Sequence, residues 1–75
     1  MSASPNERLE EVRAELRAVA ERLGDLAYEE LRRAVEAGEA RRPELERQLT
    51  RARHAVERAL VVLGDADGGG DMPTP

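Results

Sequence analysis

The chain has 75 residues and no cysteine, so it forms one domain at most and holds neither disulfides nor thiolate metal sites. Charged residues make up 37% and the formal net charge is −4, which argues against free nucleic acid as a partner of the whole chain. One aromatic residue, Tyr28, argues against a sandwich or barrel, whose strands favour aromatic side chains.

The first predicted helix begins at a capping signal. Ser4 suits the N-cap, Pro5 suits the first helical position, and Glu7 completes a capping box. Apolar residues then recur at spacings of three and four within an arc of about 100°, as in a coiled-coil seam. They are Leu9, Val12, Leu16, Val19, Leu23 and Leu26.

The apolar pattern changes phase at Gly24-Asp25. Either the helix breaks there and Asp25 caps a second short helix, or one helix runs over residues 5–37 and absorbs the change. We favour the continuous helix, because one internal glycine costs only about 1 kcal/mol. The stripe beyond the change is rotated by roughly 100°. It contains Ala27, Leu31, Ala34 and Val35, with Tyr28 nearby.

A second helix is predicted over residues 43–63, after a turn over 38–42. Gly38 suits a left-handed helix end, and Pro43 suits a first helical position. We predict an N-terminal arm over residues 1–4. Residues 64–75 are rich in Gly, Pro and Asp, so we predict a disordered acidic tail that begins at Gly64, the C-cap of the second helix. The apolar stripe of this helix consists of Leu45, Leu49, Ala52, Val56, Leu60 and Leu63.

These elements predict an all-α fold, an antiparallel helical hairpin with coiled-coil-like packing. A break at 24–25 would give the alternative, a small three-helix bundle. In the hairpin the first helix spans about 50 Å and the second about 31 Å, so the start of the first helix lacks a partner within the chain. We expect the excess apolar residues there, with Tyr28, to form a partner seam. Its residues are Leu9, Val12, Leu16 and Tyr28.

Residues with catalytic chemistry are scarce. The chain has one histidine, no cysteine and few hydroxyls, so we predict no catalytic residue, no metal site and no cofactor, and hence no enzyme. One charged pattern stands out opposite the apolar stripe of the second helix. Its spacings of four, three and four place a basic ridge on one helix face. The ridge consists of Arg47, Arg51, His54 and Arg58.

The sequence therefore predicts a small non-enzymatic protein-interaction module, acting as an adaptor, regulator or accessory subunit. Its expected partner is itself, as a homodimer or higher oligomer, and/or a larger protein. The less favoured alternative is binding of nucleic acid or an anionic ligand through the basic ridge. No stretch reaches the ~20 apolar residues that span a bilayer, and the first residues lack a secretory signal, so we expect a cytoplasmic protein without membrane contact.

Overall fold

The computed structural model describes residues 4–64, and this part of the chain is all-helical without strands. Helix α1 spans Pro5–Glu36 and helix α2 spans Glu44–Val62. The two helices fold back on each other and pack together as a hairpin. Helix α1 runs through Gly24 without a break, so the hairpin is confirmed and the three-helix alternative is not supported.

The start of α1 has the predicted capping box. The backbone N–H of Glu7 donates to Ser4 Oγ at 3.1 Å, and the backbone N–H of Ser4 donates to the Glu7 carboxylate at 3.1 Å. Pro5 occupies the first helical position, where its missing N–H removes no helical hydrogen bond. These contacts satisfy two donors that a helix start would otherwise leave open.

The turn between the helices begins at Gly38, whose φ of 76° favours glycine. The Gly38 N–H donates to the Val35 carbonyl at 3.0 Å, and the Glu39 N–H donates to the Ala34 carbonyl at 2.9 Å. This pair of bonds is a Schellman motif, which satisfies the last carbonyls of α1. At the other end of the turn Pro43 is extended, with ψ 146°, and is the N-cap of α2 rather than its first helical residue.

The core between the helices is thin. Within residues 4–64 the buried hydrophobic residues are three alanines of α1, Ala20, Ala27 and Ala34, and Leu60 of α2. No large side chain of this part of the chain is fully buried. A two-helix hairpin covers only one side of each helix, so its larger apolar side chains stay partly exposed.

Buried and half-buried positions follow a regular spacing on each helix. They alternate at intervals of four and three, which keeps one line of each helix against its neighbour. On α1 this line contains Leu9, Arg13, Leu16, Ala20, Leu23, Ala27, Glu30 and Ala34. On α2 it contains Glu46, Leu49, Arg53, Val56, Leu60 and Leu63.

The rotation of α2 differs from the one that its apolar stripe predicts. The stripe leads us to expect Leu45 and Ala52 against α1, but both are exposed, and Glu46 and Arg53 take interior positions instead. Helix α2 is rotated by about one residue from the predicted orientation, so the residue that follows Leu45 and the residue that follows Ala52 face α1. The apolar stripe is therefore divided between the core and an exposed side.

The ends of the chain lie largely outside this description. Of the predicted arm, residues 1–4, only Ser4 is described, and of the predicted tail, residues 64–75, only Gly64. Gly64 has φ 89°, as expected for a glycine that follows the end of a helix. Within the described helices, no segment combines the length and the apolar character that crossing a membrane requires.

Candidate interaction surface

The exposed apolar residues of α1 form a column beside its line of contact with α2. Val12 and Val19 are each 44% exposed and Leu26 is 48% exposed. They are spaced seven residues apart, so they lie one above another on the helix. Half-buried Leu16 and Leu23 lie between this column and α2. The apolar surface of α1 therefore continues out of the core onto the exterior.

Helix α2 adds a second column on the same side of the hairpin. Leu45 is 50% exposed, Ala52 is exposed and Ala59 is half-buried. Each directly precedes an interior residue, as Val19 precedes Ala20 on α1. Because the helices run antiparallel, residues that directly precede an interior residue lie on the same side of the hairpin in both helices. We call the two columns together the open face: Val12, Val19, Leu26, Leu45, Ala52 and Ala59.

The opposite side of the hairpin is closed by polar contacts. At one end, the Arg13 guanidinium donates through Nε to the Leu63 carbonyl at 2.9 Å and through Nη1 to Glu10 at 2.9 Å. A second guanidinium nitrogen, Nη2, also reaches the Leu63 carbonyl. No basic residue lies in the last turn of α2, so Arg13 supplies from α1 the positive charge that favours a helix C-terminus.

Near the turn, the closed side contains the buried carboxylate of Glu46. Arg42 donates to its Oε1 at 2.7 Å, and the Thr50 hydroxyl donates to its Oε2 at 3.0 Å. Burial opposes ionisation of this carboxyl, but the hydrogen bonds from Arg42 and Thr50, together with the nearby positive charges, outweigh it and lower the pKa of Glu46. Glu46 is therefore a charged interior residue with both oxygens occupied.

Between these two clusters, Arg53 of α2 lies against Gly24 of α1. A Cβ atom added to Gly24 would meet Arg53 Nη1 at 3.0 Å and Arg53 Cδ at 3.4 Å. The missing side chain of Gly24 thus makes room for the arginine. The Arg53 Nε has no hydrogen-bond partner within the described structure, and the nearest carboxylate, that of Glu57, lies 3.7 Å away.

The predicted partner seam is divided between two sides of α1. Val12 belongs to the open face, and half-buried Leu9 and Leu16 border it. Tyr28 is 62% exposed on the other side of the helix, where Val35 is also exposed. The angular step of about 100° per residue separates Tyr28 from Val12 by about 160°. The structure therefore brings the first three seam residues together and leaves Tyr28 apart.

The basic ridge lies on the outer side of α2. Arg51, His54 and Arg58 are exposed, as the spacing predicts. Arg47 is half-buried, pairs with the Glu44 carboxylate and donates to the Arg42 carbonyl at 3.3 Å. The charge of Arg47 is thus partly neutralised within the helix, and the ridge presents three outward residues rather than four.

Charged residues in the contact between the helices were not predicted from the sequence, because the prediction followed apolar residues alone. Arg13 stands seven residues before Ala20, and Arg53 stands seven residues before Leu60. This seven-residue spacing is the signal that could have placed them in the helix contact. Glu46 lies seven residues before Arg53, so the same spacing could have placed it in the helix contact.

Groups suited to metal or small-ligand chemistry are scarce in the part of the chain that the structure describes. Residues 4–64 bring together no cluster of three His, Cys, Asp or Glu side chains that could hold a metal ion. An open depression lies on a single helix and is lined by charged residues, two of which, Arg32 and Glu36, pair at 3.2 Å.

Comparison of the chain with models of protein families, with curated protein sequences and with solved structures gave no match.

Proposed function

We propose that this chain is a small non-enzymatic protein-interaction module, an adaptor, regulator or accessory subunit that binds a protein partner through the open face. The observation that carries the proposal is the exposure of Val12, Val19 and Leu26 in one column. Apolar side chains that continue outward from a core mark an interaction surface when they are contiguous. We further propose coiled-coil-like packing for the contacts of these helices and a cytoplasmic location for the protein.

The thin core supports a role that requires a partner. Three of the four buried hydrophobic residues of the described chain are alanines, which bury little surface. A domain of this size gains stability when it associates, and disulfides are excluded by its sequence. Covering the open face would remove from water part of the apolar area that the hairpin leaves exposed.

The test compares two valine variants that make the same chemical change on opposite sides of α1. Val19→Glu places a charge in the open face, and Val35→Glu places one at a position that is already 68% exposed on the far side. The tagged full-length chain and both variants are mixed with native host extract and with an untagged copy, and bound proteins are quantified. Circular dichroism checks that each variant is helical.

We expect the unmodified chain and Val35→Glu to retain a protein partner in fixed stoichiometry, and Val19→Glu to lose it. Equal retention by Val19→Glu, or no retained protein together with a monomeric mass, would overturn the proposal.

A second candidate is binding of nucleic acid or an anionic ligand through the basic ridge. The outward exposure of Arg51, His54 and Arg58 favours it. The triple change Arg47→Glu, Arg51→Glu and Arg58→Glu should then abolish retention on a nucleic-acid column at about 50 mM salt. If the unmodified chain passes through that column at the same salt, this candidate fails.

A further inference from the structure

A row of charged residues borders the open face on the side of α1 away from α2. It consists of Arg8, Glu15, Arg22 and Glu29, spaced seven residues apart and alternating in sign. All four are exposed, and none takes part in the ion pairs found among residues 4–64. Neighbouring charges of α1, such as Glu10 and Arg13, do pair within the chain.

We propose that the partner of the open face is a second copy of this chain, placed with its α1 antiparallel to the first across a two-fold axis. This inference rests on the proposed function. In that arrangement Arg8 faces Glu29 of the second copy, and Glu15 faces Arg22 of the second copy. The symmetry repeats both contacts, because a two-fold interface is self-complementary. Every charge in the row then meets its opposite.

The apolar residues agree with the same alignment. When Glu15 faces Arg22 of the second copy, Leu16 and Val19 of that copy lie within two residues of the same level, and so do Leu23 and Val12. This offset is about 3 Å along the helix axis, so the apolar side chains still meet across the interface. One register thus satisfies the charges and the apolar column together.

Sliding the second copy by one repeat of seven residues brings like charges together. In one direction Glu15 meets Glu29 of the second copy, and Arg22 meets its own counterpart. In the other direction Arg8 meets Arg22 of the second copy, and Glu15 meets its own counterpart. Like charges across an interface disfavour the wrong alignment. The charge row therefore selects one register among those that the repeating apolar column permits.

Helix α2 lies beside the proposed two-fold axis. The bonds from Arg13 to the Leu63 carbonyl show which part of α2 lies level with the start of α1. The two-fold axis, between residues 18 and 19, then passes near Ala59, a small residue.

The test uses charge reversal in the full-length chain, with sedimentation equilibrium and light scattering as readouts. Glu15→Arg and Arg22→Glu each place like charges opposite each other twice, and the double variant restores opposite charges in exchanged positions. Glu21→Arg, on the outer side of α1, is the matched control for a single reversal. Circular dichroism confirms that each variant is helical.

We expect a dimer for the unmodified chain and for Glu21→Arg. The dissociation constant should rise about tenfold or more in each single variant and return close to the original in the double variant. A monomer at every concentration, single variants that dimerise normally, or a double variant no better than the singles would overturn the inference.

Crosslinking gives a second, independent measure of the register, because the chain has no cysteine of its own. A copy with Glu15→Cys is mixed with a longer, tagged copy with Arg22→Cys, and a short bismaleimide reagent is added. We expect the mixed product to dominate over products that join two identical copies. A dominant product between two Glu15→Cys copies would contradict the proposed register.

The outcomes separate this inference from the proposed function. If the unmodified chain is a monomer but retains another protein that Val19→Glu loses, the second copy is the wrong partner and the interaction module stands. If the chain dimerises but the double variant fails to restore association, the register is wrong while the module again stands. If the chain is a monomer and retains nothing, both fall.

Discussion

Arg13 and Glu46 are interior charges that the hairpin tolerates because each has a hydrogen-bond partner. Arg13 donates to the Leu63 carbonyl, and Glu46 accepts from Arg42 and Thr50. A charged group that is removed from water without such partners would cost several kcal/mol. These contacts lie on the closed side of the hairpin, away from the exposed apolar column of Val12, Val19 and Leu26.

The first prediction concerns the pH dependence of Glu46. Its pKa is lower in the folded chain than the usual value of about 4.3, so its contribution to stability is present above that pH and is lost as the pH falls through the folded-state pKa. Glu46→Gln removes this titration. We expect the unmodified chain to lose more stability than Glu46→Gln as the pH falls below about 4.3, measured by urea unfolding.

Thr50→Val removes one hydrogen bond that lowers the pKa of Glu46, so its pH profile should lie between the other two. Identical acid profiles for the unmodified chain and Glu46→Gln would contradict the role assigned to the buried carboxylate.

The second prediction concerns the cap that Arg13 provides for α2. Arg13→Met keeps the apolar stem and removes the donors to the Leu63 carbonyl, and it should reduce the free energy of unfolding by about 1–2 kcal/mol. Arg13→Lys keeps the positive charge without the planar donor pair and should lie in between. Arg32→Met, at an exposed position, should change stability little. A loss at Arg13 no larger than that at Arg32 would count against the cap.

At the scale of the helix, α1 is continuous because its local preferences outweigh one glycine. The capping box at Ser4 and Glu7 begins it, the Schellman motif at Gly38 ends it, and residues on both sides of Gly24 favour helix. Gly24 in turn accommodates the Arg53 side chain. The glycine therefore weakens the helix locally but fits its contact with α2.

The third prediction separates these two effects of Gly24. Gly24→Ala should gain about 1 kcal/mol of helix preference when Arg53 is replaced by alanine, because no side chain then opposes the added Cβ. With Arg53 present the gain should be smaller, since Nη1 would lie 3.0 Å from the new atom and must move. A double-mutant cycle by thermal unfolding measures the difference. An equal gain in both backgrounds would show that Arg53 does not restrict this site.

The ends of the helices were predictable from the sequence, and the rotation of the helices was not. Caps and turns depend on a few adjacent residues, so Ser4, Gly38 and Gly64 identified the helix ends to within a residue or two. Rotation depends on which of two adjacent stripes packs inward. On α1 the stripe through Val19 is more apolar, but the alanine stripe through Ala20 is the one that is buried.

The same difference explains how much of the candidate surface could be predicted. Helix lengths led us to expect Leu9, Val12 and Leu16 beyond the reach of α2, but only Val12 is exposed. The bond from Arg13 to Leu63 shows that α2 reaches back to this part of α1. The contribution of α2, Leu45 and Ala52, depends on the rotation of that helix and so required the structure. The spacing of its residues along α2 predicted that the basic ridge lies on one helix face. It did not predict that Arg47 pairs with Glu44.

At the scale of the whole molecule, the open face is one of several exposed apolar areas of the hairpin, since Tyr28, Val35 and Val62 are exposed outside it. If a second copy covers the open face, as we propose, association stabilises the fold by an amount that rises with the logarithm of the protein concentration. In this respect the chain resembles half of a larger helical bundle more than an independent domain.

The fourth prediction follows from that dependence. If the chain folds as a dimer, a tenfold rise in concentration should stabilise it by about 1.4 kcal/mol per dimer and raise the thermal midpoint by about 3–6 °C. Circular dichroism melts at several concentrations measure this shift. Val19→Glu should melt at a lower temperature that does not vary with concentration. A midpoint independent of concentration in the unmodified chain would contradict a dimeric fold.

The position of Tyr28 determines which optical signals can follow these changes. The chain has no tryptophan, and this single phenol ring stands in water on the side of α1 away from the open face. Its ultraviolet emission should thus vary little when the helices melt or when two copies meet. Backbone absorption must report those events, and the ring is free to carry an iodine label that leaves association undisturbed.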